Sequence, residues 1–293
     1  MEGAKSMKPW NVAKRCVVPW GAIAGLVFLC LGLGVNDWEC QNCSVPTGGG
    51  YDDVTWGTIA TDWGLAFVYI PMSIFAPGIG VVRAALCSAA ACDAVAWFLA
   101  GVAHLIKATT GVFHVPVFIV SVIGTTIGRI MRLFGTLCAM RSVWPCACIQ
   151  NAKVLAAIFG SFSVAVSVMI LLAEIEAIPV KGWIVVAVNQ VLMVLLLFIF
   201  STAAILKIRA KAVWAPITAF LMFVLGAIVN LIKPNPFKYS IDFNDNALFH
   251  TFFIWEAAAS FYALEILAET PARDTTEGVH PESDKHHTAK QHV

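Results

Sequence analysis

The chain has 293 residues, 59% hydrophobic and 13% charged, with a formal net charge of +1 and a mean hydropathy of +0.79. Soluble domains carry nearer ~25% charged residues, so composition excludes an ordinary soluble protein. The near-neutral charge and the lack of a basic stripe with aromatics speak against a nucleic-acid partner.

Apolar stretches lie near 17–35, 60–82, 84–106, 112–134, 154–173, 183–206, 213–232 and 246–268. A bilayer's hydrocarbon is crossed by about 20 apolar residues at 1.5 Å rise each. The stretches predict an all-α fold, a polytopic transmembrane bundle of eight helices over 17–268 with the lipid bilayer as its partner. Of the 19 Lys and Arg residues, 15 fall on one side of these spans: the N-terminal arm, Arg83, the 129–153 region, Lys207 to Lys211 and the tail. Only Lys107, Lys181, Lys233 and Lys238 fall on the other. The positive-inside rule then predicts an integral membrane protein with both termini cytoplasmic.

Residues 1–16 read as a basic cytoplasmic arm. The first apolar run could also be a signal peptide, but its 19 residues exceed the usual ~7–15 of such a segment, so a helix is expected. Residues 36–59 form an acidic, Gly-rich outer loop without Lys or Arg. It holds Cys40 and Cys43, candidates for a disulfide on an oxidising side, or plain thiols. The triplet Asn42-Cys43-Ser44 makes Asn42 a glycosylation candidate. Span two contains Pro71 and Pro77 and is expected to kink, and Arg83 alone separates it from span three in a tight hairpin. Two small-residue pairs, Gly21-x-x-x-Gly25 and Gly124-x-x-x-Gly128, mark faces where backbones approach closely.

Arg129 and Arg132 are expected to end span four and to snorkel to the inner surface. Leu133 to Ile149, broken by Arg141 and Pro145, reads as an interfacial segment. Cys16, Cys146 and Cys148 lie at the inner surface, where S-palmitoylation occurs, and the remaining cysteines read as buried small hydrophobes. The polar tail 269–293, with four histidines, is expected to be disordered.

Ionisable groups inside a span cost about 2.5–3.5 kcal/mol on insertion scales. Asp93 in span three and Glu256 in span eight sit at similar midplane depth, with Asn189, Gln190 and Asn230 available as partners; both carboxylates are catalytic or ion-site candidates. Three histidines share one membrane side: His104 late in span three, His114 at the start of span four and His250 at the start of span eight. Asp93, Trp97, Ala100 or Gly101, and His104 recur at helical spacing, as do Asn246 and His250; Phe249, Phe253, Glu256 and Ser260 form an adjoining stripe. Three imidazoles make a candidate zinc site with an open fourth position.

Around these histidines the chain resembles the CREST group of seven-helix membrane proteins, which includes the alkaline ceramidases and the progestin and adiponectin receptor type. Ala100-Gly101-Val102-Ala103-His104 and Asn244-Asp245-Asn246-Ala247-Leu248-Phe249-His250 carry the likeness. It implies one extra N-terminal helix before a seven-helix core, with His104 and His250 at metal-ligand positions. It also implies a metal-dependent amidase or esterase acting on a lipid. The chain departs from that pattern at Ala100, where the family has Ser, at Ile254, where it has a second His, and in span four, which lacks the family's Asp. The competing readings are a small-solute or proton-coupled transporter or channel, with Asp93 and Glu256 as its sites, and a non-catalytic scaffold or sensor.

Overall fold

The computed structural model describes residues 9–35, 56–144, 150–232 and 245–269. Among them the chain forms eight long helices and no strand. In chain order these are α1 (Pro9–Val35), α2 (Trp56–Ile74), α3 (Gly80–Thr110), α4 (Val115–Ala139), α5 (Ala152–Glu174), α6 (Gly182–Arg209), α7 (Trp214–Ile232) and α8 (Asp245–Glu269). Six of them, α3 to α8, contain a stretch long and apolar enough to cross a membrane. In α1 the apolar part is shorter, Cys16–Leu31. The first turns of α2 carry Thr58, Thr61 and Asp62, all fully buried, so its polar groups face protein. The large hydrophobic residues exposed on α5 and α6 are Val, Ile, Leu, Phe and Met, a surface suited to lipid. The Cys40–Cys43 pair, Asn42, Cys146, Cys148 and the 270–293 tail lie outside the described residues.

Three boundaries differ from expectation by five residues or more: α1 begins at Pro9, within the stretch read as a basic arm, and not near 17, and the ends of α2 and α4 also move. α2 ends at Ile74, not near 82, because Pro77 cannot continue the hydrogen-bonded ladder and Gly78 turns the chain at φ 84°. Pro71 does stay inside the helix, and the hairpin to α3 is short, tied by Ser73 Oγ donating to the Cys87 carbonyl at 3.2 Å. α4 runs on to Ala139, five residues past the expected end. Leu133 to Ala139 are buried core residues of this helix, so they are not an interfacial segment.

Small residues set the seams. Gly124 faces Ala96 and Gly128 faces Asp93, while Gly135 faces Leu86. The paired residue numbers have a nearly constant sum, which is the register of an antiparallel α3–α4 hairpin closed by Gly111 at φ 74°. Gly21 lies against Ala258, and Gly25 against the Trp255 indole, whose Nε1 donates to the Ala22 carbonyl at 3.1 Å. Both expected close-approach pairs are thus intramolecular contacts, one joining α1 to α8 and the other α3 to α4.

Candidate functional site: a buried ion network

Arg129 and Arg132 stand three residues apart on one face of α4, so both point the same way. That face is turned into the bundle: the residues are 4% and 5% exposed. They do not snorkel. Arg132 Nη2 donates to Asp93 Oδ2 on α3 and to Tyr69 Oη on α2 at 3.1 Å. Its Nη1 lies 3.5 Å from Glu256 Oε1 on α8. Arg129 Nη1 reaches the same Glu256 oxygen at 3.5 Å, and Ser260 Oγ donates to it at 3.1 Å. Asp93 and Glu256, both 2% exposed, therefore meet cations rather than the amides of Asn189 and Gln190. The side chain of Asn189 is itself buried without a hydrogen bond.

Two positive and two negative groups balance. Isolated, each would be costly to hold in a low dielectric; together they compensate. Aromatic faces add to this. The Arg132 guanidinium sits 5.3 Å from the Tyr69 ring centroid, and that of Arg129 lies 5.5 and 5.2 Å from those of Phe223 and Phe253. Gly128 makes room: a Cβ there would stand 2.5 Å from Asp93 Oδ1.

A cavity adjoins the network. Its lining includes the charged Arg132 and Glu256 and the apolar Val194, Leu197, Phe198 and Phe220. Its free interior is about 30 Å³, room for a water molecule or two. Two charged atoms in these lining residues have no hydrogen-bond partner: Arg132 Nη1, a donor, and Glu256 Oε2, an acceptor. The hydroxyls nearby are already engaged. Thr136 donates to the Arg132 carbonyl at 2.8 Å and Ser201 to that of Leu197 at 2.5 Å.

Toward the α3–α4 turn lies a second polar group. His250 Nδ1 is 3.0 Å from Asp62 Oδ1 and 3.3 Å from Thr61 Oγ1. The Trp97 ring meets His250 edge-on at 5.0 Å and Phe253 at 6.2 Å, so an aromatic layer separates this group from the ion network. The expected stripes on α3 and α8 hold: Phe249 and Phe253 are 4.2 Å apart, and Asp93, Ala100 and His104 are all buried.

The three histidines do not converge. His104 packs against Phe113 and Phe118, at 5.6 and 5.9 Å. His114 is exposed at the N-terminus of α4, where its Nδ1 accepts from the Val117 N–H at 3.4 Å. His250 faces α2. Among the described residues no three His, Cys, Asp or Glu side chains come together as metal ligands. Sequence reading missed Asp62 and Tyr69. Asp62 carried a signal, since it is a lone carboxylate in an apolar run.

Fold and site define an integral membrane protein, an α-helical bundle built around a charge-balanced ion network. The chain matches no protein-family model, and neither a curated protein nor a solved structure is detectably similar to it.

Proposed function

We propose that the protein is a membrane carrier of the proton-coupled type, with Asp93, Arg132, Glu256 and Arg129 as its coupling centre. One observation carries this reading: Arg132 and Glu256 of the buried network line a cavity water can enter, and Glu256 Oε2 has no hydrogen-bond partner. A proton delivered through that water to Glu256 Oε2 removes one of the two negative charges. Arg129, held by Glu256 and two aromatic rings, then loses its counter-charge. The network thus favours different packings in its two protonation states, the bistability that alternating access needs. Intramembrane ionisable groups facing a bundle interior are the usual mark of such pathways.

Liposomes holding the full chain, a trapped pH-sensitive dye and a potassium diffusion potential provide the test. Wild-type vesicles are expected to change internal pH faster than protein-free vesicles, and Glu256→Gln to return the rate to background. Wild-type vesicles indistinguishable from empty ones, with the protein folded, would sink the carrier reading. A normal rate in Glu256→Gln would remove Glu256 from it.

The same reading has all eight helices cross the membrane with both termini cytoplasmic, supported by the distribution of the basic residues outside the ion network. Protease protection of tags at the two ends is expected to show both on the cytoplasmic side. Tags on opposite sides would require an odd number of crossings.

A further inference from the structure

We infer that the turn between α6 and α7 holds the head group of an anionic phospholipid, with Arg209 and Lys211 as its two cationic contacts. α6 ends at Arg209, whose backbone (φ −151°, ψ 69°) leaves the helical range, and a single 3₁₀ turn, Ala210–Ala212, leads into α7. The Val213 N–H closes that turn on the Ala210 carbonyl at 3.2 Å. Ala212 and Ala215 anchor it in the bundle core, while Arg209 and Lys211 are exposed. Lys207, on the last turn of α6, is engaged: its Nζ donates to the Val143 carbonyl at 2.9 Å. Among the described residues, neither Arg209 nor Lys211 pairs with a carboxylate, Glu265 and Glu269 at the same end of α8 included.

Two unpaired cations on one short turn attract an anion, and the surface beside them makes that anion a lipid. Trp214 is 50% exposed and stacks on Tyr262 with ring centroids 5.2 Å apart; an exposed indole next to basic residues is typical of a membrane–water interface. Leu206 on α6 and Ile217 on α7 are exposed as well, and both helices are long and apolar enough to cross a membrane. An apolar surface therefore runs up to the basic turn from either helix. A lipid phosphate meets the Arg209 guanidinium in the two-pronged geometry that arginine favours, and the acyl chains lie against Leu206, Trp214 and Ile217. A zwitterionic lipid offers the same phosphate but brings a choline cation, which Lys207, Arg209 and Lys211 repel. A soluble phosphate makes the ionic contacts without the apolar ones. The site stands apart from the carrier reading, because occupancy is read without any flux.

The test is native mass spectrometry of the full chain in detergent, with equal amounts of dioleoyl phosphatidylglycerol and dioleoyl phosphatidylcholine. The wild type is expected to retain phosphatidylglycerol in preference. One Lys or Arg near an anionic lipid surface is worth a factor of about five in affinity, so Arg209→Gln combined with Lys211→Gln should weaken phosphatidylglycerol binding by about 25-fold. Phosphatidylcholine binding should not fall. Arg83→Gln, which removes an exposed basic residue from the first turn of α3, should leave both unchanged, and glycerol phosphate, which has no acyl chains, should not displace the lipid. Equal retention of the two lipids by the wild type, an equal loss in Arg83→Gln, or displacement by glycerol phosphate at the lipid's own concentration would overturn the proposal. If the double variant fails to fold, Lys211→Gln alone decides: a loss of about fivefold is expected, and unchanged affinity overturns the site.

Discussion

Arg132→Met is expected to destabilise the bundle by about 3–5 kcal/mol, the range for breaking a buried ion pair by removing one partner. Methionine fills a similar volume, so the loss is electrostatic rather than a cavity. Asp93 would keep no cation, and Glu256 only the 3.5 Å contact to Arg129. The buried Tyr69 hydroxyl would lose the donor now 3.1 Å away. The double variant Asp93→Asn with Arg132→Met restores charge balance, leaving Glu256 with Arg129, and is expected to recover most of the stability. Thermal unfolding of the detergent-purified variants, followed by size-exclusion chromatography, measures both. Additive losses in the double variant would show that Asp93 and Arg132 are not energetically coupled, and the network would then be no unit.

Gly128→Val is the second large effect. A Cβ at 128 would stand 2.5 Å from Asp93 Oδ1 and 2.8 Å from its Cγ, so either the carboxylate moves off Arg132 or α3 and α4 part. Overpacking of this kind costs about 1–3 kcal/mol, and here the broken ion pair adds to it. Gly160 on α5 is the control, since a Cβ there meets nothing within 4 Å. Gly160→Ala should be neutral or stabilise by up to ~1 kcal/mol, because alanine loses less backbone entropy in a helix interior. Equal melting temperatures for Gly128→Val and the wild type would mean that the α3–α4 seam is not packed around Asp93.

Hydropathy by itself determined the all-α membrane class and most of the helix positions. The runs at 154–173, 213–232 and 246–268 match α5, α7 and α8 to within two residues, because lipid demands an uninterrupted apolar surface and that demand is written locally. The small-residue pairs were legible for the same reason: helical spacing puts Gly124 and Gly128 on one face before any partner is known. Asp93 and Glu256 were legible as costly residues at comparable depth. Their partners were not. An arginine near the end of an apolar run reads equally as a snorkelling boundary or as an interior cation. The choice depends on whether α4 continues past it, and on carboxylates 39 and 127 residues away in sequence arriving on its buried face. The histidines show the converse. A shared depth suggested one site, but depth is only one coordinate. Rotation of each helix about its axis, set by packing, turned His104 toward Phe113 and Phe118, His250 toward Asp62, and left His114 to cap α4. Span composition is a local property and survives in the sequence. The pairing of charges across three helices comes from helix rotation and register, which only the assembled bundle decides.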